Sequence, residues 1–310
     1  MIERVAGDTK DPSAQMVGAH PQISRVCAIV TTHNRKELLR RCLTALTEQE
    51  RPVAKILVVD NASTDGTSEM VTTEFPGAEL LALEENIGGA GGFHRGLSWA
   101  HERGYDWFWV MDDDTFVLPD TLEKLLAGAD RSPGDELPLM VASKVCWKDD
   151  RLHPMNRPLP RWRWRAELNE AIAEGLLLIR NATFVSVALR REAIDRFGLP
   201  LPHYFLWTDD VEFTSRILKD NRGYLVPESR VYHWTAEPHT AVTSTGGRFY
   251  YHVRNSLLLL RGTSLTIFER ENYLRYWMGT IGEYLRVNRS WSAAKVVLRG
   301  VADGMRLPVR

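Results

Sequence analysis

Cysteine is scarce. The 310 residues hold three, Cys27, Cys42 and Cys146, spaced too widely for a zinc pattern or a disulfide framework. That excludes a small stapled scaffold and points to a reducing cytosol. Long apolar runs are also missing. The longest aliphatic stretch is about four residues, Leu257–Leu260, against the roughly 20 needed to span a bilayer. Residues 1–22 are polar, with Gly, Asp and Pro, and read as a disordered lead-in rather than a signal peptide. Both spaced nucleotide fingerprints are absent. Gly91 and Gly96 have the outer spacing of a Walker loop, but Leu97-Ser98 follows where Lys-Ser/Thr is required, and no G-x-G-x-x-G occurs. These gaps disfavour a P-loop nucleotidyltransferase and an NAD enzyme. There is no internal repeat or low-complexity tract.

What is present suits one large α/β domain, alone or with an appendage: 44% of the residues are hydrophobic, ample for a core. Ten Trp suggest an aromatic-rich cleft or interface. Net charge is −1 but uneven: from Ala241 onward eleven Lys/Arg face four acids, an excess of +7 against −8 for the first 240 residues. That basic tail, with Leu, Trp and Tyr interleaved, fits an anionic membrane surface or an acidic partner, and equally a solvated helical region packed on the core. Nucleic acid is not an expected partner.

Arg25–Val30 is a short apolar run that reads as a buried parallel strand ending in Thr31-Thr32-His33-Asn34-Arg35. Lys36–Glu48 places Leu38, Leu39, Cys42, Leu43 and Leu46 at helical spacing. Lys55–Asp60 is a second strand, and Asn61–Gly66 a turn into a helix from Thr67. Glu79–Glu84 is a weaker strand, Asn86–Gly92 a glycine loop, Phe93–Arg103 a helix and Trp107–Met111 a fourth strand. This alternation predicts a doubly wound sheet with right-handed crossovers. Beyond it, His153–Arg165 reads as a Pro-rich basic excursion. Thr183–Arg190 reads as a strand and Arg191–Phe197 as a short helix. Thr208 is placed to cap a helix running to about Lys219. Gly223–Pro227 and Arg230–Trp234 are two short strands, and the pattern is helical from about Arg248.

Asp112, Asp113 and Asp114 stand at the carboxyl end of the fourth strand. Adjacent carboxylates repel, and such clusters are usually tolerated around a hard cation. Open α/β sheets bind ligands at that strand end. Asp60 ends strand two, where it can accept from a base N–H or a ribose hydroxyl. Thr31, Thr32 and Arg35 hold the matching place after strand one. For Asp60 and the adjacent Asn61, turn capping is the competing role. Asn86, Gly88 and Gly89 open the glycine loop, with His94 and Arg95 near, and suit the approach of a diphosphate to a helix N-terminus. His233 can supply one neutral nitrogen beside Asp114. Asp209 and Asp210 start a helix, where carboxylates are stabilised by the dipole; alternatively one is a general base for a sugar hydroxyl. Tyr204 and Trp207 could stack on an acceptor sugar or pack in the core.

In order, Val-Thr-Thr-His-Asn-Arg35, Val-Val-Asp-Asn-Ala-Ser-Thr-Asp-Gly66, Asn-Ile-Gly-Gly-Ala-Gly-Gly-Phe93, Trp-Val-Met-Asp-Asp-Asp-Thr115, Trp-Thr-Asp-Asp-Val-Glu-Phe213 and Val-Tyr-His233 resemble the inverting GT-A glycosyltransferases of family 2, over roughly residues 24–235. The glycine-rich third stretch resembles bacterial galactofuranosyltransferases, including actinobacterial galactan enzymes. The resemblance implies a Rossmann-like, mostly parallel GT-A sheet over residues 23–240. Its nucleotide half covers about 23–115 and its acceptor half about 116–240, and a basic helical region follows at 241–310. It also implies a nucleotide-sugar donor, UDP-galactofuranose first and dTDP-rhamnose as the alternative, and a divalent metal, Mn or Mg. By position, Asp60 would contact a uracil-like base and Asp112 ribose or metal. Asp114 and His233 would bind metal, Asp113 would lie with the donor, and Asp210 would be the base, with Asp209 on the acceptor side. Phe93 stands about where the family's loop carries an arginine, and Arg95 is displaced from it. The implied acceptor is a glycan or a polyprenyl-diphosphate-linked glycan, reached from the cytoplasmic face of the plasma membrane. Membrane contact and a homo-oligomer are compatible with it. A non-catalytic sugar-nucleotide or glycan-binding module is the rival reading, disfavoured because such a module needs no base.

Overall fold

Strand β1 (Val26–Thr32) is buried along its whole length and sits inside a ten-stranded sheet. The computed structural model describes residues 24–235, 242 and 247–309; the lead-in expected at 1–22 lies outside them. β2 (Lys55–Asp60), β3 (Glu79–Ala82) and β4 (Trp107–Asp112) pair in the order β3-β2-β1-β4, all parallel. Helices α1 (Lys36–Thr47), α2 (Thr67–Glu74) and α3 (Gly88–Glu102) connect them. The register sets Thr32 opposite Asp60 and Thr31 opposite Asp112, so the three strand ends open at one level.

Alternation along β1 serves two cores. Val26, Ala28 and Val30 pack with Leu39, Leu43 and Leu46 of α1 on one face, whereas Cys27 and Ile29 pack with Phe93, Leu97 and Ala100 of α3 on the other. That is the doubly wound arrangement the pattern predicted.

The second half contains β5 (Thr115–Val117), α4 (Thr121–Asp130), β6 (Met140–Cys146), β7 (Leu159–Pro160), α5 (Arg165–Ala173), β8 (Leu177–Asn181), β9 (Val187–Arg190), α6 (Arg191–Phe197), α7 (Asp209–Ile217) and β10 (Gly223–His233). The sheet continues β4-β9-β6-β10-β8-β7, with β5 pairing β10. β9 runs antiparallel between β4 and β6, whereas β6 and β10 are parallel. The sheet is therefore mixed, with its parallel character concentrated in the first half.

Several expectations are corrected. β6 was not anticipated because Ser143 and Lys144 interrupt its apolar run; Ser143 is buried and shares hydrogen bonds of 2.8 Å with Ser186 and with Ser229. The two strands expected at 223–234 are one, with a register shift between Val226 and Arg230. Pro227, which has no N–H to give a ladder, falls at that irregularity. The glycine stretch is helix rather than loop: α3 begins at Gly88, five residues earlier than expected. A Cβ on Gly96 would meet Ile29 at 2.6 Å, and one on Gly92 would meet Asn61 Nδ2 at 2.8 Å and Thr31 at 3.0 Å. These two glycines let α3 press onto β1.

Helices α8 (Phe249–Arg261), α9 (Ile267–Val287) and α10 (Trp291–Arg306) form the C-terminal layer. α9 opens with a capping box between Thr266 and Glu269, and Glu269 also pairs with Arg180 of β8 at 2.7 Å. α10 crosses α8 closely on Gly300 and Gly304, where a Cβ would lie 2.8 Å from Val253 Cβ and from Arg254 O respectively. Among the described residues, no helix is long and apolar enough to cross a membrane.

Candidate active site

The carboxyl ends of β1 and β4 open into a cleft of about 450 Å³, whose lining includes Thr31, Arg35, Asn86, Gly88, Asp112 and Asp210. A second cavity of about 660 Å³ lies at the opposite end of β4, beside Asp106, Trp107, Arg190 and Arg191. Its charges are largely paired with one another, Arg190 with Glu192 and Arg191 with Asp195, which leaves little to recognise a ligand.

In the first cleft, antiparallel pairing of β5 with β10 sets His233 opposite Thr115 and so beside Asp114, although 119 residues separate them in sequence. His233 Nδ1 lies 2.8 Å from Asn156 Oδ1, and Asn156 Nδ2 donates to Thr183 Oγ1 at 2.8 Å. The amide is thereby oriented, and Nδ1 must carry the imidazole proton. Nε2 then turns its lone pair towards Asp114 Oδ1, 3.1 Å away. That oxygen is buried and accepts no hydrogen bond.

One ligand atom from each of Asp112, Asp114 and His233 lies within 4.8 Å of the others. An orphaned carboxylate oxygen facing an imidazole lone pair calls for a cation, and the O,O,N donor set fits a divalent metal. Asn156 has the place of the partner that fixes a ligating imidazole.

The carboxylates divide by environment. Burial works to raise Asp114, and Arg35, whose Nη1 is 2.6 Å away, works to lower it. Asp113 is pushed up to about 6 by burial, partly countered by Arg35. Its two oxygens accept from Thr32 Oγ1 at 2.8 Å and Arg35 Nη1 at 3.2 Å, so it braces the β1 end. Asp112 is raised by burial and by the charges of Asp114 and Asp113; Asp210 adds to this, so both carboxylates share one electrostatic environment. Burial raises Asp210 to about 6, against the backbone N–H groups of Val211 and Phe184 that favour its charge. Asp209 is buried and raised further, by burial and by Asp210.

Other sites differ from expectation. Asp60 is buried and does not line the cleft; its oxygens accept from Ser63 N at 2.9 Å and Ser68 Oγ at 2.6 Å, the turn-capping role. Arg95 is exposed on α3 and is not brought to the cleft, which Phe93 lines instead. Tyr204 is fully buried beside Ala90 and Leu258 and is not available for stacking, whereas Trp207 does line the cleft. Thr208 precedes α7 in a left-handed conformation, and its side chain makes no capping bond. Gly88 and Gly89 line the cleft as expected, and Asn86 Oδ1 accepts from Gly88 N at 2.9 Å.

Reading the sequence missed Asn156, Thr183, Phe184, Arg248 and Tyr251, all of which line the cleft. Asn156 stands in the Pro-rich excursion, and a lone Asn there carries no signal in a single chain.

The family model described as glycosyl transferase family 2 matches residues 27–198. The chain belongs to glycosyl transferase family 2. It is 36% identical over 201 residues to the galactofuranosyltransferase GlfT1 of Mycolicibacterium smegmatis, a match covering 63% of this chain and 65% of that protein, so it spans just under two thirds of that relative. It is 24% identical over 254 residues to the N-acetylglucosaminyl-diphospho-decaprenol L-rhamnosyltransferase of Mycobacterium tuberculosis, covering 67% and 75% of the two chains. The crystal structure of S. aureus TarS 1-349 in complex with UDP superimposes with a TM-score of 0.62 at 16% identity, over 91% of this chain and 80% of that one. That likeness concerns the fold, which is the GT-A fold of these glycosyltransferases.

Proposed function

We propose that this family 2 enzyme transfers galactofuranose from UDP-galactofuranose to a lipid-linked or polysaccharide cell-envelope glycan, with inversion at the anomeric carbon. The observation that carries the reading is a further carboxylate, Asp210, sharing one cleft with the Asp112, Asp114 and His233 triad. A divalent cation, Mn or Mg, held by that triad would offset the charge growing on the departing diphosphate. Arg35 keeps part of its guanidinium open to the cleft and can donate to the same phosphates. Asp210, with its pKa near 6, is mostly ionised at neutral pH and can take the proton of the acceptor hydroxyl. As it does so, that oxygen bonds to the anomeric carbon and the bond from carbon to diphosphate breaks. Trp207 offers a face to the acceptor sugar.

The donor assignment follows the GlfT1 relative, and rhamnosyl transfer from dTDP-rhamnose is the second reading, favoured by the rhamnosyltransferase relative. Parallel assays with both donors and a polyprenyl-diphosphate glycan acceptor separate them. Transfer from UDP-galactofuranose alone is expected, and transfer from dTDP-rhamnose alone reverses the assignment.

Peripheral attachment to the cytoplasmic leaflet belongs to the same proposal. Trp291, Leu298 and Met305 form one exposed stripe at seven-residue spacing on α10, beside exposed Lys295, Arg299 and Arg306. An apolar stripe flanked by cations suits an anionic lipid surface.

A further inference from the structure

Residues 203–208, just ahead of the helix that carries the proposed base, hold a costly backbone. Phe205, Trp207 and Thr208 have φ of +63°, +65° and +69°, and none is glycine. Left-handed φ costs about 1–2 kcal/mol for such residues and persists only where the surroundings impose it. Within the segment, Leu206 N donates to Tyr204 O at 2.7 Å and closes a tight turn on Phe205, whereas Thr208 makes no side-chain cap.

The restraint comes from α8. Asn255 is fully buried, and its Nδ2 lies 2.9 Å from Tyr204 O, 2.8 Å from Leu206 O and 2.8 Å from Trp207 O. Its Oδ1 accepts from Arg254 Nε at 2.8 Å, which orients the amide. Arg254 Nη2 donates to His203 O at 3.0 Å and Tyr204 O at 2.6 Å. The remaining carbonyl, Phe205 O, accepts from Ala90 N of α3 at 3.2 Å. Carbonyls that a free loop would turn to water thus converge on one amide group, across the stretch that carries the three left-handed residues. The Phe205 ring also stacks on Tyr251 of α8, with centroids 5.1 Å apart. α8 also crosses α10 closely, at Gly300 and Gly304.

We propose that Asn255, oriented by Arg254, is a positioning residue for glycosyl transfer: it fixes the 203–208 backbone, and through it the places of Trp207 and Asp210. This rests on the reading of Asp210 as the base. It gives the C-terminal helices a part in chemistry that their lack of transferable sequence signals concealed.

The test compares Asn255→Asp, which keeps the shape and removes the donor, with Val253→Ala, which loosens α8 against α10 without touching the loop. Asp210→Asn is run alongside. For each full-length variant, kcat, the pH dependence of kcat, and UDP affinity with Mn are measured. The expected result for Asn255→Asp is a fall in kcat of about 100-fold, a displaced acid limb and UDP affinity within about twofold of wild type. Val253→Ala should lose thermal stability and keep kcat. If Asn255→Asp retains kcat, or if Val253→Ala lowers kcat as much, the positioning role is overturned. Transfer by Asp210→Asn at the wild-type rate would instead overturn the reading on which it rests.

Discussion

His233 Nε2 and Asp114 Oδ1 lie 3.1 Å apart, with the imidazole proton committed to Asn156 on the far side of the ring. Two buried electron pairs therefore face each other, an arrangement stabilised by a cation. Asp114→Asn keeps the shape and removes half of that attraction. The enhancement of UDP affinity by Mn should fall at least tenfold, while UDP binding without metal changes little. Calorimetry on both proteins checks this, and unchanged metal enhancement would remove Asp114 from the metal site.

Asn156 should matter through His233 alone. Asn156→Ala frees the imidazole to rotate and change tautomer, and loss of such a partner typically lowers metal affinity about 10–100-fold. Paramagnetic titration of Mn in the presence of UDP reads this directly. Retention of wild-type Mn affinity would mean that the ring is held by packing alone.

Asp210 gives a pH prediction. Its pKa is raised to about 6 in the folded protein. Protonation below that value removes the base, so kcat should fall as pH drops through about 6. The stability consequence has the opposite sense. A carboxyl raised on folding contributes stability that is full below its unfolded pKa and lost as pH rises through about 6. Asp210→Asn, which carries no charge, should match wild-type stability near pH 4 and exceed it by about 1–3 kcal/mol at pH 7. Denaturant titrations at the two pH values test this; a variant less stable at pH 7 than at pH 4, relative to wild type, contradicts the shift.

Two adjacent glycines should behave differently. Gly88 has φ of +76°, and a Cβ there would meet Phe205 O at 2.1 Å, so Gly88→Ala should cost about 2 kcal/mol or more. Gly89 has open space around its Cβ and faces the cleft. Gly89→Ala should fold normally yet weaken UDP-sugar binding, because the added methyl stands where the diphosphate approaches. Wild-type donor affinity in Gly89→Ala would reduce the glycine stretch to a packing device.

The α10 stripe makes a separable prediction. Replacing Trp291, Leu298 and Met305 with Ser should abolish flotation with anionic vesicles and spare transfer to a water-soluble acceptor. Equal flotation by the triple variant would place any membrane contact elsewhere.

Much of the first half was legible in the sequence because its signals are local. β2 has the bounds the apolar run suggested, and the α1 periodicity buries Leu39, Cys42, Leu43 and Leu46. The sheet's second half was less legible. β6 hides behind Ser143 and Lys144, whose compatibility with burial depends on Ser186 and Ser229 from distant segments. At the site, strand ends announced Asp112 and Asp114. Asp60 and Arg95 were placed by position in the chain, and side-chain direction decided otherwise: one turns under its own turn, the other lies on the outer face of α3. Asn156 and Asn255 were invisible, since each acts through contacts that only the fold creates.

The most direct measurement is calorimetric titration of UDP with and without Mn, on the wild-type chain and on Asp114→Asn. The account predicts tight UDP binding to the wild type only when metal is present, and loss of that difference in the variant. UDP binding that ignores metal in both proteins would contradict it.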